Sequence, residues 1–165
     1  MATSSPQNTT VPMLTRLPEP KPLANSSGTN PARAEIAPFG RGSWQALRTR
    51  HAEQPTLVHF WGLTCAPCLA ELPDWGRFAG EHPDAKMVFV AADPVPMPPD
   101  AIAEALTKAG LARVESWAFE GRFATRLYYE VDPSWQGELP RTQLIGRDGG
   151  SEAWIGTADF PRIRA

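Results

Sequence analysis

The chain has 165 residues, 16 Lys and Arg against 18 Asp and Glu, and a formal net charge of −2. That balance excludes the basic surface expected of a nucleic-acid or anionic-membrane binder, while 42% apolar residues suffice for one domain core with appendages. Two cysteines are too few for a disulfide-stapled scaffold or a four-thiolate zinc site.

Residues 1 to 38 carry seven prolines (Pro6, Pro12, Pro18, Pro20, Pro22, Pro31, Pro38) among Ser, Thr and Asn, with few large apolar side chains. Such a segment cannot bury enough surface to offset its ordering entropy, so a disordered tail or spacer is expected ahead of one folded domain over 39–165. The sequons Asn8-Thr9-Thr10 and Asn25-Ser26-Ser27 read as chance matches in this composition. The tail has no basic n-region followed by an apolar h-region, and no stretch of the chain approaches the ~18 apolar residues of a membrane span. A cytosolic protein is expected on that ground, unless a leader or anchor was removed.

Ser43 is the expected N-cap of a short amphipathic helix through Arg48. Thr56 to Trp61 is an apolar, β-branched and aromatic run and predicts a buried strand. Ala66 to Gly80 predicts a helix with Leu69, Leu72, Trp75, Phe78 and Ala79 along one side, kinked or broken in its hydrogen bonding at Pro73. Met87 to Ala92 predicts a second buried strand. After a loop stiffened by Pro94, Pro96 and Pro98, Pro99 opens a helix running to Gly110. A short strand over 114–119 and a helix over 123–130, ended by Asp132-Pro133, follow. Thr142–Gly146 and Glu152–Ile155 predict a hairpin turned by Asp148-Gly149-Gly150. From Thr56 on, the order is β-α-β-α-β-α-β-β. That implies parallel strands with helical crossovers, then an antiparallel end.

Both cysteines lie in Cys65-Ala66-Pro67-Cys68, directly after the first predicted strand and at the start of the helix that follows. Attack on a disulfide needs a thiolate, and a helix N-terminus lowers a thiol pKa through its free N–H groups and dipole. A second cysteine three positions on is close enough to resolve the mixed disulfide.

The stretch Val58-His59-Phe60-Trp61-Gly62-Leu63-Thr64-Cys65-Ala66-Pro67-Cys68-Leu69-Ala70-Glu71-Leu72-Pro73 resembles the active-site segment of the thioredoxin superfamily, in particular its TlpA/ResA-like branch of thiol–disulfide oxidoreductases. Glu138-Leu139-Pro140-Arg141-Thr142-Gln143-Leu144-Ile145-Gly146-Arg147-Asp148-Gly149 is similar to that family's cis-proline loop, strand and Asp-Gly hairpin. The resemblance covers about 40–157. It implies an α/β thioredoxin fold: a mixed central sheet, helices on both faces, and an inserted β-α unit before the cis-proline loop. Three departures stand out. Thr64 replaces the usual aromatic residue, so the surface beside Cys65 should be less apolar. His59 replaces a buried aspartate of thioredoxin. The family's final long helix is expected to be shortened or cut off, as the sequence stops soon after the last predicted strand.

The resemblance assigns Cys65 as attacking thiolate and Cys68 as the more buried resolving thiol. Glu71 is implied as a proton-transfer partner beneath them, its pKa raised by burial; a solvated helix glutamate is the alternative. His59, on the strand face opposite Val58 and Phe60, is either a relay for the Cys68 proton or a hydrogen-bonded core histidine. A metal site of Cys65, Cys68 and His59 is conceivable, but none is expected. Pro140 is the implied cis-proline, with the Leu139 backbone left free to pair with an extended substrate. Trp61 either shields the thiols or fills the core, and Trp135 either lines the substrate groove or caps the core.

The uncharged Ala66-Pro67 pair, where oxidants of the superfamily often carry a histidine, implies a reducing couple. The expected function is therefore a protein-disulfide reductase, with no cofactor beyond the Cys65–Cys68 disulfide. The expected form is a monomer with protein substrates and no nucleic-acid partner. The resemblance adds a membrane electron donor, targets such as apocytochrome c (cytochrome c biogenesis) or copper-site thiols, and a periplasmic, membrane-anchored location. A DsbA-like oxidant, a copper or zinc carrier using the same thiols, and a peroxiredoxin-like peroxidase are the alternatives. The last is disfavoured because such sites usually lack this adjacent C-x-x-C.

Overall fold

The structure is a computed structural model and describes residues 33–164. Most of the proline-rich segment, and both sequons, lie outside the described residues. The elements in chain order are β1 (Ile36–Phe39), α1 (Ser43–Arg50), β2 (Thr56–Trp61), α2 (Ala66–Glu81), β3 (Lys86–Ala91), α3 (Pro99–Lys108), β4 (Glu115–Phe119), α4 (Ala124–Val131), β5 (Arg141–Ile145), β6 (Ser151–Ile155) and α5 (Phe160–Arg164).

One six-stranded sheet has the order β1-β4-β3-β2-β5-β6. β1, β4, β3 and β2 run parallel, and β5 and β6 are antiparallel. β2 and β3 sit in the middle with both faces covered, which is why Thr56–Trp61 is buried at every position and reads as a continuous apolar run. The period-2 alternation then divides their side chains between two cores. Leu57, Trp61, Phe89 and Ala91 pack with Leu72, Trp75 and Phe78 of α2 and Ile102 and Leu106 of α3. Val58, Phe60, Val88 and Val90 pack on the other face with Trp44 and Leu47 of α1 and Leu127, Tyr128 and Val131 of α4. At Gly76, a Cβ would run into the Ala109 carbonyl oxygen. Glycine there is what lets the end of α3 lie against α2. Helices on both faces and a strand-helix unit (β4, α4) ahead of the hairpin match the implied thioredoxin fold.

Several local expectations change. The folded part begins before Phe39: Ala34 is buried and Ile36–Phe39 forms an edge strand on β4, so the tail boundary at 38 is too late. The strand is four residues long and includes Pro38, which hid it; proline is tolerated at a sheet edge. Ser43 is the first helical residue of α1 and not its N-cap, which is Gly42 at φ 81°. The Ser43 hydroxyl instead accepts the Gly40 N–H at 3.0 Å. α2 continues through Pro73, whose ring faces solvent. Leu69, expected on the apolar side, is 41% exposed. α5, five residues long, follows the hairpin and packs Phe160 against Trp75 and Phe78.

Candidate active site

The chain leaves β2 at Trp61, turns over Gly62-Leu63-Thr64, and enters α2 with Cys65 as its N-cap. The Cys65 Sγ accepts the Cys68 backbone N–H at 3.3 Å. Pro67 lies in the first turn, where its missing N–H would have had no helical partner. Cys65 and Cys68 are joined as a disulfide with their Cα atoms 5.2 Å apart. Cys65 is half-buried and Cys68 is fully buried.

β5 runs antiparallel to β2 with Arg141 opposite Phe60. That register carries Leu139 and Pro140 to the same end of the sheet as Gly62 and the two cysteines. The Leu139–Pro140 peptide is cis. The Pro140 carbonyl accepts the Gly156 N–H at 2.8 Å, whereas Leu139 lies beyond the strand pairing, which starts at Arg141. Two clefts of about 730 and 750 Å³ open at the other end of the sheet, lined by residues such as His51, Lys86 and Glu115 in one and Thr56, Met87 and Ile145 in the other.

Beneath the cysteine helix lies a buried polar cluster. His59 points, as its alternation requires, to the α2 side, between Trp75 and Phe89 (ring centroids 4.5 and 5.2 Å). Its Nδ1 is 3.0 Å from the Thr142 hydroxyl, and its Nε2 is 3.0 Å from Glu71 Oε1. The latter contact is within ion-pair reach, but the ring N–H is poorly aligned on the oxygen. Glu71 Oε1 also accepts the Trp75 indole N–H at 3.3 Å, and Oε2 accepts the Ala158 N–H at 3.0 Å. His59 and Glu71 are 0% and 4% exposed in their side chains.

Burial drives the His59 pKa below its ordinary 6.5, and the neighbouring Glu71 opposes this only in part. For Glu71 burial pushes the pKa up, but the adjoining His59 ring and donation from the Ala158 and Trp75 N–H groups outweigh it and the carboxyl titrates below its usual range. The expected rise at Glu71 is therefore reversed, because the imidazole and two N–H donors converge on a carboxylate that burial alone would have neutralised. A neutral His59 that presents Nε2–H to Glu71 and accepts from Thr142 through Nδ1 is the tautomer this arrangement assigns.

The two tryptophans are core residues. Trp61 is 0% exposed and Trp135 3%. Trp135 packs on Phe60 and Tyr128 and donates its indole N–H to the Glu138 carbonyl at 3.0 Å. Neither offers side-chain surface to a docking partner, so both core alternatives hold over the substrate-contact ones. Thr64 is exposed, as a less apolar rim requires, but its hydroxyl turns inward to a residue that sequence reasoning missed. Asp93 Oδ1 accepts the Thr64 hydroxyl at 2.7 Å and the Thr64 N–H at 2.9 Å, while Oδ2 accepts the Leu63 N–H at 3.1 Å. Arg141, beside Pro140, was likewise not singled out. It is buried, bonds Asp132 at 2.9 Å and lies over the Trp135 ring. A carboxylate one step past an apolar strand, and an arginine between a proline and a predicted strand, were the available signals. Among the described residues no cluster of three or more His, Cys, Asp or Glu could hold a metal ion.

A dithiol pair across a helix N-terminus, faced by a cis-proline strand of a mixed sheet, defines a thioredoxin fold. No family model matches the chain, and no curated protein matches it. Solved structures do. The chain is similar to StoA from Bacillus subtilis (22% identity over 68% of this chain and 81% of that one, TM-score 0.51). It is similar to the thioredoxin domain of a thiol-disulfide oxidoreductase from Bacteroides vulgatus (15%, 70% and 81%, TM-score 0.56). It is also similar to the exposed lipoprotein thioredoxin of Streptococcus pneumoniae (16%, 70% and 84%, TM-score 0.51). At these identities the likeness is one of fold.

Proposed function

We propose that the protein is a thiol–disulfide oxidoreductase that reduces protein disulfides. The observation that carries this is the placement of Cys65: half-exposed at the N-cap of α2, its sulfur on a helix N–H, and already paired with a buried Cys68. In the dithiol form the Cys65 thiolate attacks one sulfur of a substrate disulfide. A mixed disulfide forms and the substrate's other sulfur leaves as a thiolate, which takes up a proton. Cys68 then loses its proton and attacks the Cys65 sulfur. The second substrate thiolate is released, and two electrons have passed from the protein to the substrate.

Glu71 is one helical turn beyond Cys68 on the same face. As an ionised carboxylate with a depressed pKa it would take the Cys68 proton only in passing, and His59 orients it. The Leu139 backbone, outside the strand pairing, would dock the extended substrate beside Pro140. The uncharged Ala66-Pro67 supports the reducing direction. A membrane electron donor, apocytochrome c or copper-site thiols as targets, an extracytoplasmic location, a monomeric state and a spacer role for the proline-rich N-terminal segment belong to the same reading. They are supported by the family resemblance and, for location, by the lipoprotein neighbour. Among the described residues no helix is long and apolar enough to cross a membrane.

The test is trapping. Cys68→Ala should accumulate a mixed disulfide through Cys65 with a protein substrate, and wild type should reduce insulin. No trapped species and no insulin reduction would sink the reading. A potential well above about −200 mV would reassign the protein as an oxidant. Metal retention by the reduced protein without insulin reduction would make it a carrier, and peroxide turnover would make it a peroxidase.

A further inference from the structure

Two of the three residues between β2 and Cys65, Leu63 and Thr64, are tied to one carboxylate. Asp93, just past the end of β3, is 3% exposed and accepts from the Leu63 N–H, the Thr64 N–H and the Thr64 hydroxyl. The approach is close: a Cβ on Gly62 would stand 2.7 Å from Oδ1. The strand end that carries Asp93 is itself fixed, since the Ala92 N–H bonds the Trp61 carbonyl at 2.7 Å and the Tyr128 hydroxyl bonds the Ala92 carbonyl at 2.8 Å. A negative charge is thereby held against the residue adjacent to the attacking cysteine. The two backbone N–H groups that precede Cys65 are committed to that charge and not to the sulfur.

We propose that Asp93, latched by Thr64, is a positioning residue that disfavours the Cys65 thiolate and so biases the Cys65–Cys68 couple toward giving electrons away. A helix N-terminus alone stabilises the thiolate and hence the dithiol; a neighbouring carboxylate opposes that stabilisation. The other charged and titratable groups on the surrounding elements are engaged elsewhere. Glu71 of α2 is held by Ala158, Trp75 and His59 of β2. Arg141 of β5 is paired with Asp132, and Glu138 accepts from the Gln136 N–H. Tyr128 of α4 keeps its proton, its pKa pushed up to about 12 by burial and by Asp93. The inference rests on the exchange reaction proposed above and concerns what tunes it.

The experiment reads the Cys65 thiolate directly, by the pH dependence of iodoacetamide alkylation in the reduced protein, alongside the equilibrium with glutathione. Asp93→Asn should lower the Cys65 pKa by about one unit. It should also move the glutathione equilibrium several-fold toward the dithiol, tenfold being about 30 mV for this two-electron couple. Thr64→Val, which removes a donor and keeps the charge, should leave the pKa in place or raise it, and Thr64→Ser should match wild type. An Asp93→Asn protein that is folded but has an unchanged or higher Cys65 pKa overturns the proposal. So does a Thr64→Val protein whose pKa falls, which would mean that a loosened loop, and not the charge, sets the thiolate. Alkylation needs no substrate, so a wild-type protein that fails to reduce insulin refutes the exchange reading while the shifts still test Asp93.

Discussion

Replacing His59 with glutamine should flatten the acid dependence of stability. His59 is fully buried against Trp75 and Phe89, and burial holds its pKa below 6.5. The unfolded chain therefore binds a proton at this site at a pH where the folded protein does not. Stability from this group is fully present above about pH 6.5 and is lost as the pH falls below it, until the folded pKa is reached. The slope approaches about 1.4 kcal/mol per pH unit at its steepest, so the loss from this site between pH 7.5 and 5.0 has an upper bound of about 2 kcal/mol, reached when the folded His59 stays neutral throughout. That is a sizeable part of the ~5–15 kcal/mol that holds a domain of this kind together. Glu71 has the same sign but a lower window, below its ordinary 4.5, so the interval above pH 5.0 isolates the histidine. Urea unfolding followed by tryptophan fluorescence, on the oxidised protein so that neither thiol titrates, measures the loss in both proteins. His51 and His82 are common to both and cancel. His59→Gln should be less stable at pH 7.5, because the fit between Glu71 and Thr142 is disturbed, yet lose less on acidification, by up to about 2 kcal/mol. Equal losses in the two proteins would refute the reasoning.

Glu71→Gln keeps the volume but turns an amide NH₂ toward at least one of the N–H groups that now donate to the carboxylate, and should cost about 1–3 kcal/mol at pH 7 by urea unfolding. The cost should shrink on acidification below pH 4.5, where wild type loses its own advantage. Gly76→Ala drives a Cβ into the Ala109 carbonyl and should lower the thermal midpoint by several degrees, corresponding to about 1–3 kcal/mol of overpacking, while the alkylation pKa of Cys65 stays put.

What the sequence made legible was whatever a short window can encode. Thr56–Trp61 and Met87–Ala91 are continuous apolar runs because the middle of a parallel sheet is covered on both faces, and they were found within a residue. Cys65 and Cys68 announced themselves by spacing, and Pro140 by the resemblance of residues 138–149 to a known cis-proline loop. β1 was missed, and α5 was expected only through the resemblance, as a shortened or cut-off final helix, for a common reason: four or five residues carry too little periodicity, and each is defined by what it docks on, β4 in one case and Trp75 in the other. The direction of the Glu71 shift was unreadable for a deeper reason. Burial, visible as an apolar helix face, argues for a raised pKa. The donors that reverse it come from β2 and from Ala158, 87 positions away in the chain. The Asp93 latch spans 29 and 30 positions. Motif spacing locates the sulfur chemistry because helix and strand geometry are local. The groups that set how tightly those sulfurs and carboxyls hold a proton are gathered by the sheet order, which puts the ends of β2, β3 and β5 side by side. The two single-residue departures from the pattern this chain resembles, Thr64 and His59, each contact one of those remote carboxylates, Asp93 and Glu71. Residues that break a motif are thus where tuning of the proposed exchange chemistry is to be sought.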